Sequence, residues 1–373
     1  MARESAPPEV DLRTMIGQMI MVGFKEAKVE EATPVVRALR EISLGGVILF
    51  NIDLKCYLEK LQRNPGLGRP EAARVCSRNI LWPAQVRALT QDLKGNSLIP
   101  PFIAVDQEGG LVSRLGPWAG FSESPSPREL GKRDDPKATE TAARTMAADL
   151  KGVGININLA PVVDLSLNPE NIIAKNGRSF GPEPALVCRH ATAFIRVHRE
   201  EGLLTTLKHF PGKGSAGKDT HYELADVTDC YTSEELEPFS QLIAGGLADL
   251  VMTAHIYNDR WDRLYPATLS SRVLQGMLRE DLNYRGVIIS DDLLMGAIVK
   301  KFSFEDACRM AVQAGVDVLL ASNNSPEGYD SNLPFRMFST IHRAVQKGEI
   351  SPERIRESYR RIMELKKRIA GLL

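Results

Sequence analysis

The chain has 373 residues, of which 43% are hydrophobic and 25% are charged, as in an ordinary globular protein. Its 47 basic residues balance its 47 acidic residues, so neither a nucleic-acid-binding face nor an acidic tail is indicated, and this neutrality favours a small or neutral substrate. No apolar stretch reaches the length of a membrane span, and the run at 19–22 is too short for a secretory signal, so we expect a cytoplasmic protein that binds no membrane.

The five cysteines, Cys56, Cys76, Cys188, Cys230 and Cys308, are scattered along the chain. They form no C-x-x-C pair and no cluster with the spacing of metal ligands. Because cysteines in a reducing compartment stay as thiols, we predict five reduced thiols, no metal site and no cofactor.

Short apolar runs alternate with longer amphipathic stretches along the whole chain. The runs are 19–24, 46–50, 101–105, 155–163, 205–210, 250–254, 286–290 and 316–321. Each is aliphatic and bounded by glycine, proline or polar residues, which predicts strands buried on both faces. Helix-length patterns lie between most of them, at 137–153, 184–201, 233–246, 270–282 and 304–314, with a final charged helix at 352–368. Eight such alternations predict a closed (β/α)8 barrel of the TIM type, and a doubly wound open sheet is the alternative.

Residues 53–82 interrupt this alternation between the second strand and the next helix. They hold two glycines, two prolines and many charged residues. Because no change in composition marks a second domain, we predict a single barrel domain over 1–373, with a rim insertion at about 53–82.

Aspartate and histidine recur directly after the predicted strands. In a barrel of parallel strands the carboxyl ends all meet at one rim, and that rim carries the active site. Simple solvation of the strand ends would favour a mixture of serine, threonine, lysine and glutamate, so the repetition favours a site. The residues are Asp106, Asp164, Lys208, His209, His255, Asp291, Asp292, Asn323 and Asn324.

The segment 208–221 is the most informative, because a strand ending in Lys208-His209 is followed by a glycine-rich loop and then by Asp219-Thr220-His221. In an extended Asp-x-His, Asp219 can hold His221 in one tautomer and raise its pKa. The alternative is that His221 is an ordinary surface histidine. Residues 212–219 also approach a phosphate-binding loop, but an aspartate stands where the magnesium-binding hydroxyl is needed, which argues against nucleotide binding.

Asp291 and Asp292 follow the buried run 286–290. One carboxylate of such a pair could ionise and attack a substrate, while the other accepts hydrogen bonds or pairs with a cation. A solvated strand end, a helix cap and a metal-binding pair are the alternatives, although the histidines lack the spacing of metal ligands.

Residues 208–221 match the motif K-H-F-P-G-x-G-x(4)-D-[ST]-H. The chain thereby resembles glycoside hydrolase family 3, and within it the bacterial β-N-acetylglucosaminidases. The resemblance extends from about residue 17 to residue 366, with matching stretches at 17–18, 105–110, 160–164, 178–179, 252–255, 289–292 and 322–324.

This resemblance implies a retaining exo-β-N-acetylglucosaminidase that removes terminal β-linked N-acetylglucosamine. It implies that its substrate is a muropeptide fragment of peptidoglycan, cleaved during cell-wall recycling. Asp291 then matches the nucleophile, His221 the acid/base and Asp219 the partner of His221. Contacts to the sugar are implied for Asp106, Arg114, Arg178, Lys208 and His209, with His255 lining the same pocket.

Three positions depart from the commoner residues of the family. Lys213 stands where histidine is frequent, Thr220 replaces serine, and Leu111 replaces arginine. None of these changes removes a catalytic group, whereas the insertion at 53–82 puts the outer substrate site in doubt. Two alternatives stay open: a phosphorylase, because a neutral histidine base would not repel phosphate, and a non-catalytic sugar-binding barrel.

Overall fold

Eight parallel strands close into a barrel in the computed structural model, which describes residues 10–30, 33–217 and 223–370. In chain order they are β1 (Ile20–Gly23), β2 (Gly46–Ile48), β3 (Phe102–Val105), β4 (Ile157–Asn158), β5 (Leu204–Phe210), β6 (Leu250–Thr253), β7 (Val287–Ile289) and β8 (Leu319–Ala321). Neighbouring strands pair in the order β7-β6-β5-β4-β3-β2-β1-β8. A parallel bridge from Ile289 to Val318 joins the two ends. The predicted barrel is therefore confirmed, and the open sheet is excluded.

Every residue of these eight strands is buried, because side chains fill the barrel on one face and helices cover the other. The α-helices are α1 (Leu12–Gln18), α2 (Pro34–Glu41), α3 (Leu54–Arg63), α4 (Arg69–Val75), α5 (Pro83–Gly95), α6 (Pro127–Arg133), α7 (Pro136–Gly152), α8 (Ile172–Lys175), α9 (Pro184–Glu200), α10 (Glu237–Ala244), α11 (Gly296–Val299), α12 (Phe304–Ala314), α13 (Leu333–Gln346) and α14 (Pro352–Ala370). A π-helix covers Arg272–Asp281. The six predicted helices are all present, within a few residues of the expected bounds. Within the described ranges, no helix combines the length and apolar character needed to cross a bilayer.

The last helix closes the end of the barrel opposite the strands' carboxyl ends. The Lys366 ammonium of α14 donates hydrogen bonds to Gln18 Oε1 at 2.7 Å, to the Gly45 carbonyl at 2.9 Å and to the Pro100 carbonyl at 2.8 Å. Gly45 and Pro100 lie just before β2 and β3, so this single buried side chain ties three segments together at the amino ends of the strands.

The predicted rim insertion contains two helices, α3 and α4, between β2 and α5. Its base is closed by a bridge between Ile52 and Ser77 and by the Asp53 N–H, which donates to the Cys76 carbonyl at 2.8 Å. Cys56 and Cys76 form a disulfide within it. The prediction of five reduced thiols is therefore wrong for these two cysteines, because the helices bring together residues 20 positions apart. The division of the chain into domains stays a prediction.

Candidate active site

A cavity of about 1310 Å³ opens at the carboxyl ends of the barrel strands. This is the rim at which the sequence places the site. Six of the nine predicted site residues line it, and two others lie outside the described ranges. The six are Asp106, Arg114, Arg178, Lys208, His209 and Asp291.

Asp291 follows β7 and faces this cavity. Its backbone N–H donates to Thr253 Oγ1 at 3.3 Å, and its Oδ1 accepts from the Asp292 N–H at 2.9 Å. Lys213 Nζ lies 3.8 Å from Asp291 Oδ2. Burial by itself would raise the pKa of Asp291, but the Lys213 ammonium holds that pKa well below its usual range. Asp291 is therefore an ionised carboxylate on the wall of the cavity.

The glycine-rich loop after β5 delivers Lys213 to this position. Gly212 has φ +112°, and a Cβ there would lie 2.7 Å from Glu235 Cβ. A Cβ on Gly214 would lie 1.9 Å from the Leu165 carbonyl oxygen. These glycines therefore allow the loop to pack tightly against its neighbours, which fixes the backbone on both sides of Lys213.

Asp164 binds the same loop through hydrogen bonds to its backbone. Its Oδ1 accepts from the backbone N–H groups of His209, at 3.3 Å, and Lys213, at 3.0 Å, while its Oδ2 lies 2.7 Å from His209 Nδ1. Burial keeps the pKa of His209 well below 6.5, so its ring is neutral. With the Nδ1 proton directed at Asp164, Nε2 is left as an acceptor on a residue that lines the cavity.

Two carboxylates and three cations form an ion-paired cluster in the same cavity, which we call the group around Lys208. Lys208 Nζ lies 2.8 Å from Asp106 Oδ1 and 2.7 Å from Glu108 Oε1. Arg178 binds both oxygens of Glu108, at 2.7 and 2.8 Å, and Arg114 lies 3.3 Å from Asp106 Oδ2. The group therefore carries one net positive charge and offers both donors and acceptors to the hydroxyl and amide groups of a sugar.

These ion pairs set the ionisation of the group. Burial would raise the pKa of Glu108, but Arg178 and Lys208 lower it to about 2. Lys208 and Arg114 likewise hold the pKa of Asp106 well below its usual range against the effect of burial. The carboxylates of Asp106 and Glu108 are therefore both ionised near neutral pH.

The sequence assigned no role to Glu108 or Lys213 and gave Asp164 only as one of the residues at the strand ends, although the structure brings all three to the site. Glu108 lies two residues after Asp106, and in the short strand Gln107–Gly109 its side chain is buried against Arg178. Lys213 was noted only as a departure from histidine. A signal for Glu108 existed, because residues two apart in an extended segment lie on the same side.

His255 does not line the cavity, contrary to the position that the resemblance implied. Its ring is fully buried, with Nδ1 2.8 Å from Thr268 Oγ1 and Nε2 2.9 Å from the Asp292 carbonyl. Asp292 in turn accepts from the backbone N–H groups of Leu294, at 3.0 Å, and Ser322, at 2.9 Å. His255 and Asp292 therefore shape the turn that presents Asp291.

Asp219 and His221 lie outside the described residues, and their roles stay predictions. In the ranges that are described, no group of three or more histidine, cysteine, aspartate or glutamate side chains is arranged to hold a metal ion.

A (β/α)8 barrel with an ionised aspartate after β7, beside ion-paired donors and acceptors in a cavity at the strands' carboxyl ends, has the arrangement of an enzyme of the TIM-barrel class. Comparison with known families assigns it further. Residues 11–365 match the model of the glycosyl hydrolase family 3 N terminal domain. The chain belongs to glycosyl hydrolase family 3, and the predicted family is confirmed.

Individual relatives agree with this assignment. A β-hexosaminidase from Photobacterium profundum is 36% identical over 66% of this chain and 73% of its own. A β-N-acetylglucosaminidase from Paenibacillus sp. FPU-7 is similar in structure, with a TM-score of 0.83 and 33% identity, and covers 97% of this chain. A β-N-acetylhexosaminidase from Beutenbergia cavernae has a TM-score of 0.78 and 28% identity over 97% of this chain and all of its own.

Some relatives are considerably longer. The chain spans 52% of β-hexosaminidase A from Pseudoalteromonas piscicida, to which it is 31% identical over 79% of its own length. It spans 63% of the Paenibacillus enzyme.

Proposed function

We propose that the chain is a retaining exo-β-N-acetylglucosaminidase. The observation that carries this proposal is the ionised Asp291, which faces the cavity 3.8 Å from Lys213 and beside the ion-paired group around Lys208. Membership of family 3 supports a glycoside hydrolase, and the names of the Photobacterium, Paenibacillus and Beutenbergia proteins support a hexosamine substrate.

In the proposed mechanism Asp291 attacks the anomeric carbon while protonated His221 gives its proton to the departing glycosidic oxygen. The bond from the anomeric carbon to that oxygen breaks, and a covalent glycosyl-enzyme forms on Asp291. A water molecule then attacks the anomeric carbon, and His221 takes a proton from that water. The bond between the carbon and Asp291 breaks, which releases the Asp291 carboxylate. Two displacements retain the anomeric configuration.

The group around Lys208 would hold the sugar during these steps. Asp106 and Glu108 accept hydrogen bonds from sugar hydroxyls, while Lys208, Arg114 and Arg178 donate to hydroxyl and acetamido oxygens. The charges are fixed in place by one another before a substrate arrives, so binding requires little reorganisation of the site.

We propose a muropeptide fragment with a terminal N-acetylglucosamine as the natural substrate, on the basis of the motif in residues 208–221. A cytoplasmic role in peptidoglycan recycling is part of the same prediction. The Cys56–Cys76 disulfide weighs against a permanently reducing compartment, because glutathione and thioredoxin keep thiols reduced there.

A phosphorylase is the second candidate, because Lys213 places a cation at the wall of the cavity beside Asp291. Phosphate would then take the place of water in the second displacement, and the product would be a sugar 1-phosphate.

Incubation with p-nitrophenyl N-acetyl-β-glucosaminide, with and without phosphate, tests both candidates. Free N-acetylglucosamine as the main product in both conditions supports the hydrolase. A dominant sugar 1-phosphate identifies a phosphorylase. If neither this substrate nor a muropeptide disaccharide is cleaved, the chain is a non-catalytic barrel and the proposal fails. The Asp291→Ala variant, purified in parallel, controls for a contaminating glycosidase.

A further inference from the structure

The cavity is larger than one sugar requires. Its volume of about 1310 Å³ exceeds the roughly 300–1,000 Å³ typical of pockets that bury a drug-sized ligand. The polar group around Lys208 and the Asp291 carboxylate occupy its inner end, at the carboxyl ends of β3, β5 and β7. The remaining space lies between the rim insertion and the loop that contains Leu111 and Trp118.

Helix α3 of the insertion lines this outer space with an apolar stripe. Leu54, Tyr57, Leu58 and Leu61 all contact the cavity, and their spacing of three, one and three residues places them on one face of the helix. No residue of α3 is buried, so this stripe does not pack into the barrel core. The opposite face carries exposed charged residues, including Glu59.

The position of α3 is fixed at its first turn. The Asp53 side chain caps the helix by accepting from the Cys56 N–H at 3.0 Å, and Asn324 Oδ1 accepts from the Leu54 N–H at 2.9 Å. The Cys56–Cys76 disulfide ties the same turn to the end of α4.

The disulfide is the strong tie among these contacts. In the described part of residues 54–75, the buried apolar side chains are Leu67, Ala72 and Ala73. These three side chains supply little packing energy. Small structural units with so little buried apolar surface usually depend on covalent cross-links for their stability.

We propose that the apolar stripe of α3 is the wall of the aglycone site, held in place by the Cys56–Cys76 disulfide, and that it takes the apolar face of a second sugar ring. The inference rests on the proposed function. The stripe belongs to the same cavity as Asp291, so a ligand cleaved at Asp291 extends along it. The stripe is uncharged, as is Trp118 on the facing loop, so it would contact the carbon face of a pyranose and not a charged substituent on the ring.

The test compares a ligand that reaches the wall with one that does not. The KM for N,N′-diacetylchitobiose reports binding of two sugar rings, whereas the inhibition constant of free N-acetylglucosamine reports the inner sugar alone. The variants are Tyr57→Ala and Leu61→Ala, with Glu59→Ala on the opposite face of α3 as the matched control. A Cys56→Ser, Cys76→Ser double variant tests the disulfide.

We expect Tyr57→Ala to raise the KM for chitobiose by about tenfold, the loss typical of one aromatic contact. The inhibition constant for N-acetylglucosamine and the kinetics of Glu59→Ala should stay at wild-type values. The double serine variant should raise the same KM without changing the inhibition constant.

If Tyr57→Ala and Leu61→Ala both keep the wild-type KM for chitobiose, α3 does not form the wall of the aglycone site. If the double serine variant keeps that KM, the disulfide does not hold the wall in place. An equal change in the KM for chitobiose and in the inhibition constant of N-acetylglucosamine would also contradict the proposal, because it would show a general effect on the barrel. Failure of the proposed function gives a different result, because the wild-type protein would then cleave no substrate.

Discussion

Lys213 and Asp291 come from separate loops, after β5 and β7, and place an ammonium nitrogen 3.8 Å from a carboxylate oxygen in the cavity wall. The Lys213 side chain is 4% exposed and that of Asp291 is 14% exposed, so water screens their attraction only weakly. Lys213 is close enough to keep Asp291 ionised, yet at 3.8 Å its ammonium does not hydrogen-bond to that oxygen. A nucleophile needs this combination of charge and access.

Replacement of Lys213 by methionine should move the acidic limb of the kcat/KM profile to higher pH. Burial favours the neutral form of Asp291, and without the ammonium its pKa rises, so a larger fraction is protonated and inactive at a given acidic pH. The measurement is kcat/KM for p-nitrophenyl N-acetyl-β-glucosaminide across the acidic range. Lys213→Arg retains the charge and should keep the wild-type limb. Identical limbs in Lys213→Met and the wild-type protein would show that Lys213 does not govern the nucleophile.

Asp291→Ala should lower kcat/KM by about a thousandfold or more while the protein stays folded. The reason is that no other ionised group then attacks the anomeric carbon. Added azide should occupy the vacated space and restore turnover, giving a glycosyl azide of inverted configuration. The product configuration is measured by NMR, and the wild-type protein with azide is the control. Activity near the wild-type level without azide would remove Asp291 from the mechanism.

The barrel could be predicted because each of its strands is a continuous apolar run, the pattern expected when both faces of a strand are buried. The disulfide could not be predicted, because cysteine spacing does not specify pairing. Cys56 and Cys76 meet only because the insertion folds back at the bridge between Ile52 and Ser77.

The site was predictable where a side chain follows a strand directly, as Asp106, Lys208 and Asp291 do. Glu108 was missed because the residue that gives it a role, Arg178, lies 70 positions away in sequence. His255 also follows a strand, but its ring is bonded to the Asp292 carbonyl and stays beneath the rim. A position at a strand end indicates the rim, but only packing decides which side chains reach the cavity.

Glu108→Gln should destabilise the protein near neutral pH by about 3 kcal/mol, because Lys208 and Arg178 lose their shared buried counter-charge. The pKa of Glu108 is about 2 in the folded protein, below its ordinary value of 4.5. Its contribution is therefore present above about pH 4.5 and is lost as the pH falls towards about 2. Denaturant unfolding of both proteins over this range measures the difference, which should narrow on acidification. A difference that does not depend on pH would mean that the charge of Glu108 is not what stabilises the group.

Lys366→Met should lower stability without affecting the chemistry. The substitution removes this donor from Gln18 Oε1 and from the Gly45 and Pro100 carbonyls, of which the Gly45 carbonyl still accepts from the Phe102 N–H at 2.9 Å. The cost therefore falls on Gln18 Oε1 and the Pro100 carbonyl, at about 1–3 kcal/mol for each unsatisfied buried acceptor. The lost hydrogen bonds lie at the end of the barrel opposite the active site, where side chains contribute to stability and not to catalysis. We expect a fall of about 3 kcal/mol in the free energy of unfolding, with kcat/KM unchanged at temperatures where the variant is folded. The exposed neighbour Lys367 is the matched control, and Lys367→Met should unfold like the wild-type protein. A fall in kcat/KM in folded Lys366→Met would instead show that the two ends of the barrel are coupled.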